Sequence, residues 1–181
     1  MKLSKILLLV LMSISQFVNA QTHAAIGREF SSDEDFVEAN SVRLPKNVLA
    51  VLLASKDAES GRDWIRRNPG KDGNDLFHGF SVNLSRTEEK DYIVVGNPQP
   101  GAIVSGADND WFWVVHSSQS GPHIVLFCGA LTVSVLPQTH NSLQDIRCAW
   151  ESPGGDGFIH DYRFNGQRYV LFKKAETHRK P

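Results

Sequence analysis

The sequence predicts a mainly β protein with one short N-terminal helix, an α+β chain whose strands form an antiparallel meander in a blade-like sheet, sandwich or partial propeller. Three observations carry this. β-branched and aromatic runs recur at close, even spacing from residue 80 to 172. Turn residues separate them, ending in Asn165-Gly166, the strongest hairpin signal in the chain. Helical periodicity occurs only before residue 70.

Taken in order, Lys2 and Lys5 precede an apolar run from Ile6 to Met12, and Val18-Asn19-Ala20 offers the small residues of a cleavage site. Residues 1–20 therefore read as a signal peptide, and the product as periplasmic or secreted. The run is shorter than the roughly 18 residues of a membrane span, so no membrane insertion is expected after cleavage. Residues 21–43 are polar and aperiodic and read as an N-terminal arm; residues 44–181 read as a single β-rich domain. Pro45 suits a first helical position, and Val48, Leu49, Val51, Leu52 and Leu53 form an apolar stripe ending near Ser55. A second helical turn is expected around Trp64 and Ile65, stopped by Pro69-Gly70. Strands are then expected at 80–84, 92–95, 111–115, 124–136, 145–150, 158–164 and 168–172.

The formal net charge is −1 and becomes −3 once Lys2 and Lys5 leave with the leader. That balance argues against nucleic acid, which rewards clustered basic charge. Cys128 and Cys148 are the two cysteines, and in an oxidising compartment they are expected to pair. A turn at Pro137-Gln138-Thr139 would set them opposite one another in a 124–150 hairpin, within disulfide reach. A strand break at Gly129 would instead place them about 10 Å apart, two strands away, and forbid the bond.

Phe77-His78-Gly79-Phe80-Ser81-Val82-Asn83-Leu84, followed by Asp91-Tyr92-Ile93-Val94-Val95-Gly96 and Pro98, resembles a single degenerate FG-GAP repeat, the blade unit of integrin-type β-propellers. The resemblance implies two strands flanking a calcium loop whose ligand positions fall here on Asn83, Ser85, Thr87 and Asp91. Three of the four lack a carboxylate and Glu88 stands where the family has glycine, so it implies a blade-like hairpin without calcium. The end of the chain is also similar to those of small exported bacterial proteins of unassigned function.

No Gly-x-Ser-x-Gly elbow, His-Glu-x-x-His or glycine-rich phosphate loop is present. No cofactor and no metal are expected; His116 and His123 can approach across one hairpin but make only a pair of ligands. Asp108, Asp110 and Asp156 lie in polar, glycine-containing loops, and Trp111 and Trp113 share one face of the heaviest aromatic strand, as core or as anchors for a partner. These five are the candidate binding residues. The expectation is an exported, non-catalytic protein that binds another protein of the cell envelope, of the inhibitor or immunity kind. The alternatives are a small envelope hydrolase using dispersed carboxylates (Asp91, Asp110, Asp145, Glu151) and a structural or ligand-sensing module.

Overall fold

The structure is a computed structural model that describes residues 27–85, 89–106, 109–151 and 156–177. The expected signal peptide lies outside the described residues, as do Thr87, Glu88 and Asp108. The chain runs β1 (Arg28–Ser31), α1 (Glu34–Asn40), α2 (Lys46–Ala54), α3 (Glu59–Arg67), β2 (Phe77–Val82), β3 (Asp91–Gly96), β4 (Asp110–Ser118), β5 (Gly121–Ala130), β6 (Thr132–His140), β7 (Leu143–Glu151), β8 (Gly157–Phe164) and β9 (Tyr169–Thr177).

The strands make two antiparallel sheets, β2-β3-β4-β5 and β1-β6-β7-β8-β9. Each is built on a four-strand up-and-down meander, the second extended at one edge by β1. They pack face to face around Phe30, Phe80, Ile93, Phe112, Val114, Leu126, Val133, Ile146 and Phe164. The other face of the four-stranded sheet is covered by α2 and α3, through Val48, Leu49, Leu52 and Trp64 against Phe77, Tyr92, Val94, Trp113 and Val115. This sheet is therefore buried on both sides, and β3 is buried at all six positions. A strand covered twice needs no polar alternation, which is why Tyr92-Ile93-Val94-Val95 reads as an unbroken run.

The outer face of the five-stranded sheet carries a polar row from edge to edge: Glu29, Ser134, Arg147, Asp161 and Lys173 stand opposite one another in register. Arg147 holds Asp161 with two bonds, Nε to Oδ1 at 2.6 Å and Nη2 to Oδ2 at 2.9 Å. Asp145 sits one pair along, opposite Arg163, and also meets His140 at 2.7 Å. Opposite charges facing each other across strands stabilise a sheet that turns this face to water.

Four expectations need correction. Among the described residues there are three α-helices, not one, and residues 28–43 are not a loose arm: Phe30 and Val37 enter the core, and β1 pairs with β6. Each piece is too short to show a period. The run 124–136 does not form one strand; it ends at Ala130, bends at Leu131 and restarts at Thr132 in the other sheet. The hairpin that follows turns at Asn141-Ser142, whose φ angles of 47° and 77° suit a tight two-residue connection. Pro137 is no turn, for it lies inside β6 where the register shifts between Val135 and Thr139, a place where a missing N–H costs the ladder little.

Candidate binding groove

Among the described residues four strands form sheet edges, and they are unequally protected against pairing with another chain. β1 is only four residues long and charged. β2 is overlaid by the preceding segment, where the Val42 N–H donates to the Gly79 carbonyl at 2.7 Å. β9 carries Lys173 and Lys174. β5 is the least protected: its ten residues, Gly-Pro-His-Ile-Val-Leu-Phe-Cys-Gly-Ala, include no Lys, Arg, Asp or Glu, and its safeguards are Pro122 near its start and α2 packed beside it, which leave its later residues open.

β1 lies against β2, with Phe30 and Phe80 at 5.4 Å and Arg28 reaching the Ser81 carbonyl. At the far side, β5 lies against β7, bridged by the Cys128–Cys148 disulfide with Cα atoms 6.8 Å apart. The cysteine pair expected from sequence is thus present, but as a staple between the two sheets and not across a hairpin. Neither register considered for a single sheet describes it, because the bend at Leu131 moves the chain from one layer to the other. With β5 over β7, β8 and β9 extend beyond the four-stranded sheet as a shelf.

The inner face of that shelf is aromatic and incompletely covered. Trp150 and Phe158 stack at 5.2 Å and 11°, followed along β8 by His160 and Tyr162. Two clefts separate the shelf from the β5 edge. The larger, about 470 Å³, is lined by Ile124 to Phe127 on one wall and by Tyr162 and Arg168 to Leu171 on the other. The smaller, about 240 Å³, is lined by Asn109, Gly129, Cys148, Trp150, Phe158 and His160. Phe127, Phe158 and Leu171 remain 39%, 41% and 42% exposed. Burial and the nearby Lys174 hold the His160 imidazole below the usual histidine range, and burial pushes the Tyr162 hydroxyl up. In place of a charge-lined active site, the groove offers apolar surface, neutral polar tips and one basic residue, Arg168, in its larger cleft.

Of the five residues proposed from sequence, Asp108 lies outside the described residues; Trp111 and Trp113 meet at 6.3 Å, and Asp110 and Asp156 are not joined with them in one cleft. Asp110 lines a separate cleft of about 470 Å³ under α1, with Glu34, Glu38, His78 and Asn97. Trp113 is fully buried beneath the helices and cannot touch a partner. Trp111 is half-buried against Phe127, at 5.7 Å, and so flanks the β5 edge from the helix side. Asp156 is exposed at the start of β8. Of the carboxylates considered for hydrolysis, Asp91 is inaccessible: its Oδ2 accepts from the Leu84 N–H at 2.9 Å and its Oδ1 from the Ser117 N–H at 3.0 Å, with His116 Nδ1 at 2.8 Å. Asp91 thereby ties the loop after β2 to the end of β4. The His116 and His123 rings do meet across the β4–β5 hairpin, at 5.4 Å, and no group of three or more His, Cys, Asp or Glu capable of holding a metal occurs among the described residues.

Comparison of the chain with protein-family models, with curated proteins and with solved structures finds no match. The disulfide is compatible with an exported protein, and among the described residues no helix is long and apolar enough to cross a membrane.

The groove was not legible as a site. The one local signal was the uncharged stretch from Gly121 to Ala130, which reads equally as a central strand until the sheet order is known.

Proposed function

We propose that this is an exported, non-catalytic protein that captures another protein of the cell envelope in a stoichiometric complex, of the inhibitor or immunity kind, through the groove between β5 and the β8–β9 shelf. One observation carries the reading. Along the inner face of the shelf, Trp150, Phe158, His160 and Tyr162 form a continuous row of rings, with Leu171 opposite Tyr162, and Phe158 and Leu171 are among the large apolar side chains left exposed among the described residues. Scattered exposed apolar residues are ordinary, whereas a cluster of aromatics at one place supports a protein interface. Sheet strands that hold their side chains in place before binding also reduce the ordering cost of association.

The test is affinity capture from envelope extract with the wild-type protein, Phe127→Asp, Leu171→Asp and a control, Asp156→Lys. The first two are expected to lose at least about tenfold in retained partner, a cost of about 1.4 kcal/mol or more. The control should keep it, and all should melt cooperatively. Capture unaffected by both groove variants, or turnover of an envelope substrate abolished by replacing one carboxylate, would overturn the proposal.

A further inference from the structure

The two sheets are unequal, with four strands against five, and the deficit falls at the β5 edge. A strand added beside β5 at the usual spacing of about 4.8 Å would lie over β8, on the shelf face that now carries Phe158, His160 and Tyr162. It would meet backbone groups of β5 that pair with no strand, and its inward side chains would bury the apolar surface that the shelf leaves open. We propose that the groove binds its partner by strand addition: an extended segment of another protein becomes the fifth strand of the four-stranded sheet. This deepens the reading above and rests on it.

The surroundings specify the segment. Its side chains alternate between the shelf and solvent, so apolar residues are required at every second position, facing Tyr162, Leu171 and Phe158. Among the described residues Arg168 is the one charged side chain lining the larger cleft, at the turn end of the shelf, whereas at the other end Lys174, opposite His160, is followed on the same face by Glu176, opposite Phe158. A carboxylate at the end of the segment that meets Arg168 completes the match. A second copy of this chain does not fit the space. Two β5 edges joined about a two-fold axis normal to the sheet would drive one protomer's shelf into the other's, because each shelf projects toward the partner beneath the shared sheet. A single strand without a second layer avoids that collision.

The experiment selects binders from displayed random nine-residue peptides on the intact, oxidised protein, then resynthesises the selected peptides with and without backbone N-methyl groups at alternate residues. Expected are peptides with alternating apolar residues and an acidic end. They should slow amide exchange at 124–129, and they should lose at least about tenfold in affinity in one of the two N-methylation registers. Phe127→Lys and Leu171→Lys, each checked by its melting temperature, should weaken the same peptides. Peptides whose affinity is indifferent to N-methylation in both registers would overturn strand addition. If envelope capture still depended on Phe127 and Leu171, the groove itself would stand. Failure to select any peptide at this groove, or a concentration-dependent dimer abolished by Phe127→Lys, would also overturn the proposal.

Discussion

The two meanders share one topology and live in different surroundings. β2–β5 is pressed between helices and a second sheet, while β6–β9 turns one face to water and leaves half of the other uncovered. Covered twice, the first has spent its apolar surface on the fold. The second holds its charges in cross-strand pairs outside and keeps aromatic groups inside that the fold does not fully use. Stability is therefore expected to reside in the first meander and recognition in the second.

The largest test of that division is Ile93→Ala, at the centre of the covered sheet. Deleting a fully buried aliphatic side chain typically costs about 2–5 kcal/mol, so a loss of about 3–4 kcal/mol is expected in denaturant unfolding. Leu171→Ala, on the shelf, should cost about 1 kcal/mol or less. Equal losses would break the comparison.

Next comes the staple between the layers. Replacing Cys128 and Cys148 together by serine should cost about 3 kcal/mol, and a non-reduced digest of the wild type should yield the two residues in one linked peptide pair. Two freely alkylated thiols would remove the bond from the account.

On the outer face, Arg147→Met strands Asp161, which is only 3% exposed, and a loss of about 2 kcal/mol is expected. The double variant Arg147→Met with Asp161→Leu should recover most of it. If it does not, the polar row contributes more than the avoidance of an unpaired charge.

The smallest effect is a pH dependence. Burial lowers the pKa of His78, under α1, and of His160, in the groove, below the ordinary histidine value of about 6.5. Well above that value both states are neutral and neither histidine affects stability. As pH falls through about 6.5 the unfolded chain takes up protons that the folded chain resists, so stability declines on the acid side. Unfolding curves between pH 7.5 and 5.5 should show this decline, reduced in His78→Gln. A slope unchanged by that substitution would assign the effect elsewhere.

Much of the fold was legible in local pattern. The β-rich class, the apolar stripe of α2, the Asn165-Gly166 turn and the cysteine pair all rest on neighbours in sequence or on the chemistry of one residue type. The errors share a different cause. The bend at Leu131 is a change of layer, and nothing in a run of apolar residues marks where a strand leaves one sheet for another. Pro137 looked like a turn because its missing N–H excludes a regular ladder, yet a register shift removes that need. Residues 28–43 looked loose because Phe30 and Val37 are anchored one at a time by distant partners. The candidate site suffered most: Trp113 and Trp111 share a strand face but differ in burial, and the β5 edge exists only through the count of strands in each sheet.

The pairing of β1 with β6 has a consequence in time. Glu29 and Ser134 touch across 105 residues of chain, and Phe30 finds its place only between strands made much later. Contacts between segments so far apart form slowly, because the intervening loop must close before they repay its entropy. The earliest of the described strands is thus among the last to be seated, and until Thr132 to Val135 arrive, Phe30 waits in water.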